Sequence, residues 1–488
     1  MSFKEKVIRE LRRGYSPLGI GPKENLNSIF NETFKPLTVK KDLDFFFDLT
    51  ESDEINLRSW GYLGVYHILK DKKDDKIENK ERFHKIIFNL LNDKSELKYL
   101  GSKDEVITTL REHHARRIYE LDPPLIFEPV YNYIQSYKGE IDDIIVELIE
   151  NILAKVQDPK SIPLILDCAK SIDQTEFNLI LHIIRAFEIM GKNMILSEKK
   201  AIGDLFKHYL EDIDNFKKNL NKKEEIDNKI LKNLEEELLK VGAVLNLDLK
   251  EDTLDFLSKL TYPYKDLHQI ALVYKNDEKF KLILLDKLEE IENPNLVKDI
   301  LMAIIAMKEN IGNWRELIIE YLNKFQLVDN DLIEELQKVE LFNEEMLVDF
   351  LNEGENWQLD FIREYLISNP QIFNTWSKLQ DEFIEILKFF KSPEENWDKY
   401  PNMKNKKGMI LKLIIDLEIQ DLLKYSIDNV KNLEDKTLRE IALFSIIKIG
   451  NEGIMLEFKK QMKNDKELAE FFKKFWRYLE RREFKFYY

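Results

Sequence analysis

This sequence predicts an all-α protein made of antiparallel helix pairs stacked along the chain. Three observations predict it. Apolar residues recur at three- and four-residue steps almost throughout. Glycine and proline are scarce, 15 and 13 in 488 residues, too few for the tight turns of an all-β or doubly wound α/β protein. Leu, Lys and Glu, all good helix formers, are among the dominant residues.

Taken in order, the elements read as follows. Lys4–Arg13 is a leading helix, closed by the stretch Gly14–Pro22, which cannot be helical. Asp71–Glu81 is a charge run and reads as an exposed loop. From Glu140 to Val156, residues Ile141, Ile144, Ile145, Leu148, Ile152 and Val156 share one helix face, with Asp142, Asp143, Glu147 and Glu150 opposite. Lys222–Leu245 places Leu231, Leu234, Leu238, Val241 and Leu245 at a coiled-coil spacing, over too short a run to claim one. Leu282–Ile291 and Leu296–Met307 repeat the amphipathic pattern. No sustained period-two alternation argues for a sheet.

Helix starts are marked by Asp158-Pro159, Asn293-Pro294, Asn369-Pro370 and Ser392-Pro393, each a capping side chain before a proline suited to the first turn. Gly191 and Gly450 mark helix ends, where a left-handed residue is expected. Short joints make neighbouring helices antiparallel. At about 40 residues per pair the chain holds roughly a dozen units, a stack on the order of 100 Å long. The division expected is 1–37 for a leading helix and irregular loop, 38–392 for the repeat array, 393–408 for a polar joint, and 409–488 for C-terminal helices with a basic-aromatic tail.

Two distant segments share a pattern. Leu57-Arg58 is followed by Gly61, Gly64 and Ile68, and Leu438-Arg439 by Ala442, Ser445 and Ile449-Gly450. The small residues admit a neighbouring helix, and each arginine could reach back to Asp53 or Asp435. A third segment runs from Asp158-Pro159 through Ile162-Pro163-Leu164 to Ile189-Met190-Gly191. These segments resemble HEAT repeats, over about three units; residues 199–431 keep the helical period and lose the motif. The resemblance implies a right-handed α-solenoid, a HEAT/armadillo-like superhelix with a curved interaction surface.

The formal net charge of −16 favours a basic protein partner and disfavours nucleic acid unless a basic face is segregated. One cysteine, Cys168, excludes a disulfide framework or a cysteine-based zinc site. The start Met1-Ser2-Phe3-Lys4 lacks a secretory pattern, and no apolar run approaches the ~18 residues of a membrane span. A cytoplasmic protein is expected.

No P-loop, His-Glu-x-x-His, Gly-x-Ser-x-Gly or Cys-x-x-Cys occurs, so neither cofactor nor metal is expected. Gly19-x-Gly21 reads as a loop. The cluster Arg111-Glu112-His113-His114-Ala115-Arg116-Arg117 reads as a solvated or salt-bridged surface, with an anion patch as the alternative. Neighbouring histidines point about 100° apart and do not easily share an ion. Cys168 and His182 read as a packed thiol and a core histidine. At the C-terminus, Lys473, Lys474, Arg477, Arg481 and Arg482 interleave with Phe475, Trp476 and Tyr478. That pattern suits a capping helix with a basic outside, or a docking tail for an acidic partner or a single strand.

The function expected is a non-enzymatic scaffold that binds a protein partner, with Arg116, Arg117, Lys473, Lys474, Trp476, Arg477, Arg481 and Arg482 as contact candidates. The alternatives are a nucleic-acid-binding HEAT-like protein of the DNA-glycosylase kind, and a helical enzyme or lyase.

Overall fold

The computed structural model describes residues 3–13, 34–39, 42–70, 79–100, 105–219, 225–390, 401–433 and 435–481. Two compact units divide it, Met1–Phe256 and Leu257–Tyr488.

The first unit opens with a helix at Phe3–Arg13, as expected. Five helix pairs follow: Leu43–Thr50 (α1) with Ile55–Leu69 (α2), Lys80–Asn92 (α3) with Leu110–Ile118 (α4), Pro123–Ser136 (α5) with Asp143–Leu148 (α6), Ser161–Ser171 (α7) with Phe177–Met190 (α8), and Leu196–Asn219 (α9) with Glu225–Val244 (α10). A π-type turn, Ile149–Ala154, prolongs α6. Each α helix packs on its pair mate, α5 through the π turn. The odd-numbered helices form one layer and the even-numbered ones a second. The second unit continues the scheme with Leu267–Val273 (α11), Glu278–Glu290 (α12), Pro294–Ala306 (α13), Trp314–Phe325 (α14), Asn330–Lys338 (α15), Glu344–Glu353 (α16), Asn356–Ser368 (α17), Ser377–Lys388 (α18), Pro401–Asp416 (α19), Leu423–Asn432 (α20), Lys436–Ile449 (α21), Glu452–Asn464 (α22) and Lys466–Arg481 (α23). Its odd layer runs unbroken from α11 to α21, and α16, α18, α20 and α22 pack in series opposite it.

The apolar faces read from the sequence are the ones buried. Ile145, Leu148 and Ile152 are fully enclosed, and so are Leu231, Leu234, Leu238 and Val241 of α10. In α12 the buried face is Phe280, Leu284 and Leu288, while Leu282 points outward. Asn293 caps α13, accepting from Asn295 N–H at 3.0 Å with Pro294 in the first turn. Asp435 caps α21 in the same way.

Polar side chains tie one repeat to the next. Arg58–Asp93, Arg111–Asp142, Lys160–Glu128, Lys298–Asp329 and Lys378–Glu345 meet at 2.7 to 3.3 Å, each pair 31 to 35 residues apart. The repeat is thus shorter than the ~40 residues expected from helix-pair periods. Short helices account for it: α4 and α15 have 9 residues and α16 has 10.

Several expectations are corrected. An antiparallel hairpin, Glu96–Leu100 (β1) with Glu105–Thr109 (β2), interrupts the helices between α3 and α4. Its five-residue strands are too short to register as a period-two run beside the long helical periodicity. Helix α7 begins at Ser161, not at Pro159: Asp158 and Pro159 form the preceding turn, where Asp158 accepts from Lys160 N–H. The left-handed conformation expected at Gly191 and Gly450 is absent, with φ of −50° and −64°. Glycine is there for room: a Cβ at Gly191 would strike Leu245, and one at Gly450 the carbonyl of Ile446. Left-handed helix ends occur instead at Gln326 and Gly354.

Residues 401–408, assigned to a polar joint, are the first half of α19, because their lysines find acceptors on neighbouring helices (Lys406 on Asn352 O, Lys407 below). The unit boundary falls at 256/257. Gly14–Pro22, residues 71–78 of the charge run, Ser392-Pro393 and the rest of 391–400 lie outside the described residues.

Small residues in α2 admit α1, as their spacing suggested. A Cβ at Gly64 would enter the ring of Phe46, which is fully buried. Gly64→Ala is expected to cost about 1–3 kcal/mol through overpacking. Urea unfolding of the full chain, with hydrogen exchange at α1 and α2, measures this.

Candidate partner-binding surfaces

Asn451 caps α22 by accepting from Ile454 N–H at 3.0 Å, and Asp465 caps α23 by accepting from Leu468 N–H at 3.0 Å. With Asp465 as the single residue between them, α22 and α23 form a tight hairpin. Its inner face is aromatic: Phe458 meets Phe472 edge-on at 5.9 Å, Phe471 stacks along Phe475, and Phe472 stacks along Trp476 at 5.7 Å. Arg439 of α21 lies 4.3 Å over the ring of Phe471 and donates Nε–H to Val430 O at 2.9 Å. Leu468, Phe475 and Phe458 are buried. The terminal helix therefore caps the second unit by its apolar face.

Its other face is cationic in the turn that follows the exposed Glu467 and Glu470. Lys473, Lys474 and Arg477 are exposed within one turn of each other, with Trp476 between them at 42% exposure. On α22, Lys459, Lys460 and Lys463 are exposed too, as is Leu456. Among the described residues, no carboxylate lies within 4.0 Å of any of these cations. Elsewhere the lysines and arginines of this acidic chain commonly find one. Arg481 ends α23, with its side chain outside the described set, and Arg482 lies beyond the described residues.

The α4 cluster turns out in part otherwise than expected. Thr109 and Glu112 form a reciprocal capping box at its start. His114 is buried, its Nε2 2.9 Å from Ser59 Oγ, and its Nδ1 accepts from Arg117 Nη1 at 2.9 Å. The same Nη1 reaches His113 Nε2 at 2.9 Å, one helical turn away. Burial, then the neighbouring Arg117, pushes His113 down to about 3, and burial pushes His114 well below its usual range. Its histidines form a half-buried neutral clamp over which Ser59 and Tyr62 of α2 close, while Arg111 is salt-bridged to Asp142 and Arg116 is exposed, as expected for those two.

Arg117 is turned inward and only half accessible. Arg116 is exposed on an open groove of 440 Å³ shared with Glu112, Asp142 and Asp143, so carboxylates outnumber it and the groove does not suit an anion.

Both histidines stay neutral in the folded chain while the unfolded chain takes up protons near pH 6.5. Stability is thus expected to fall as pH drops below about 6.5, by about 2 kcal/mol at pH 5 for buried His114. Urea midpoints at pH 7 and pH 5 for wild type and His114→Gln check this: the variant should lose less.

Arg58 donates to the carbonyls of Ser52 and Asp53 and pairs with Asp93, so the expected partner Asp53 contributes its backbone. Asp435 pairs with Lys404 at 2.7 Å and not with Arg439. Cys168 is packed and buried, and burial raises its thiol to about 11. His182, expected in the core, is partly exposed and pairs with Glu150 one repeat earlier. Sequence reasoning passed over Lys407, which is fully buried, and the cations of α22; the run Lys404–Lys407 was the available signal.

A second concavity, of 210 Å³, lies among α11, α13 and α15, lined by His268, Asp299, Met302, Asp331 and Glu334. Lys265 approaches Asp331, and Lys298 approaches Asp299, each at 3.9 Å. Among the described residues, no group of three or more His, Cys, Asp or Glu is placed to hold a metal ion. None of the described helices is long and apolar enough to cross a membrane.

The two-layer stack of antiparallel pairs decides the fold. It is an α-solenoid. The sequence matches no family model and no curated protein. Among solved structures, the chain is similar to yeast importin-β (Kap95p), at 14% identity and a TM-score of 0.45, covering 91% of this chain and 61% of that one. The Kap95:Nup1 complex gives 14%, 0.47 and the same coverage. A structure from work on the interaction between cadherin and β-catenin gives 10% and 0.30, covering 89% and 92%. The chain spans 61% of the importin-β chains. The likeness is loose.

Proposed function

We propose that this protein is a non-enzymatic scaffold that binds a protein partner on its α-solenoid surface, with Lys473, Lys474, Trp476 and Arg477 at the contact; Arg481 and Arg482 follow them in the sequence. The observation that carries this reading is the exposed Trp476 set among cations that have no carboxylate partner among the described residues. Aromatic and arginine side chains dominate binding energy where they are desolvated by a partner. Arg116 borders a separate, acidic groove suited to a basic segment, in keeping with the net charge of −16. A lone buried cysteine accords with a cytoplasmic setting.

Nucleic acid is the second reading, because cations interleaved with aromatics also serve single strands. Native affinity purification of the full chain, with and without nuclease, separates the two. A stoichiometric protein partner that survives nuclease supports the scaffold. Partners lost on digestion, with co-purifying nucleic acid, overturn it.

A further inference from the structure

The α22–α23 hairpin carries charge of the opposite sign to the chain as a whole. Lys473, Lys474 and Arg477 stand at i, i+1 and i+4 on α23, so they share one exposed face, and Trp476 sits at its edge three residues from Lys473. The aromatic stack beneath, Phe472 on Trp476 at 5.7 Å and Phe458 on Phe472 at 5.9 Å, holds the indole in one orientation, so little side-chain entropy remains to be lost on binding. Leu456, 56% exposed, adds apolar area on the same hairpin.

We infer that this face is the docking site for a short acidic, amphipathic segment of a partner protein, with carboxylates meeting Lys473, Lys474 and Arg477 and an apolar side chain against Trp476. The inference rests on the scaffold reading and names the chemistry of its partner. Charge complementarity selects an acid, and length selects a protein segment over nucleic acid. Fields are screened over ~8–10 Å at physiological salt. A short acidic segment lies within that distance of the cationic face, whereas an extended polyanion runs on past it over a molecule of net charge −16, which repels it.

The test uses the full chain and three labelled probes: a helical peptide with glutamates at i, i+3 and i+4 around a leucine, its glutamine counterpart, and a 20-residue thymidine single strand. Fluorescence anisotropy is read at low and at physiological salt, for wild type, Trp476→Ala and the triple variant Lys473→Glu, Lys474→Glu, Arg477→Glu. The acidic peptide should bind wild type at least tenfold tighter than the glutamine peptide, lose at least tenfold on the triple variant, and lose several-fold on Trp476→Ala. Circular dichroism confirms that each variant is folded, and since the cations are exposed, the triple variant should keep its helicity.

Equal binding of acidic and glutamine peptides, an unaffected triple variant, or tighter binding of the single strand than of the acidic peptide overturns the inference. Co-purification with the triple variant keeps the two claims apart. A partner retained stoichiometrically by that variant leaves the scaffold standing and removes this site; no partner with either chain removes the scaffold.

Discussion

Lys407→Met is expected to destabilise the second unit by about 3 kcal/mol. The side chain is completely buried in α19, and its ammonium donates to Leu387 O at 3.0 Å, Phe389 O at 2.6 Å and Asn429 Oδ1 at 2.8 Å. Leu387 and Phe389 close the C-terminal end of α18, where carbonyls lack helical partners and the helix dipole favours a cation. The ring of Phe390 covers the nitrogen at 4.4 Å. Three acceptors take the three N–H bonds of the charged form; methionine leaves Phe389 O and Asn429 Oδ1 without this donor, while Leu387 O keeps Asn429 Nδ2–H at 3.0 Å.

Burial works against that charge and pushes Lys407 down to about 7. Between pH 7 and the ordinary lysine range the unfolded chain holds a proton that the folded chain has given up, so stability rises with pH across that window. The variant should lose this slope as well as the 3 kcal/mol. Urea unfolding at pH 7 and pH 9.5, with hydrogen exchange at α18 to α20, measures both. An unchanged midpoint would mean that the ammonium does not bridge these helices.

Arg111→Met is expected to cost the first unit about 3 kcal/mol. Arg111 forks onto Asp142, Nη1 to Oδ2 at 2.7 Å and Nη2 to Oδ1 at 3.0 Å, and lies over the rings of Tyr133 and Tyr137 at 5.8 and 5.5 Å. Its side chain is 7% exposed, while Asp142 is 41% exposed. The stranded carboxylate can therefore hydrate, which places the cost at the lower end of that for a broken buried pair. Asp142 also accepts from Ile145 N–H at 3.0 Å, so it ties the α6 cap to α4. Arg111→Lys keeps the charge and loses the planar fork, and should recover less than half. Thermal or urea unfolding of the three proteins decides it; a fully stable lysine variant would show that charge alone suffices.

Much of the architecture was legible because it is local. Helix faces follow from three- and four-residue spacing, and caps such as Asn293 and Asp435 act within three residues. What stayed hidden depends on residues distant in sequence. The burial of His114 is set by Ser59, 55 positions away, and the partner of Arg58 is Asp93, 35 positions away. Lys407 sat in a run of Asn and Lys that reads as a polar joint, and only the carbonyls at the end of α18 give it a buried place. The hairpin of β1 and β2 is short enough for helical periodicity on both sides to mask it. The cationic face of α23 was visible as composition, while the exposure of Trp476 and the added lysines of α22 needed the packing of Phe458 on Phe472.

Zero-length carbodiimide cross-linking of the native complex, followed by mass spectrometry, tests the central claim most directly, because it joins lysines to carboxylates in contact. Cross-links from Lys473 or Lys474, with Lys459, Lys460 or Lys463 beside them, to Asp or Glu of one short partner segment are the predicted result. A stoichiometric partner whose cross-links fall elsewhere on the chain and spare all five lysines would contradict it.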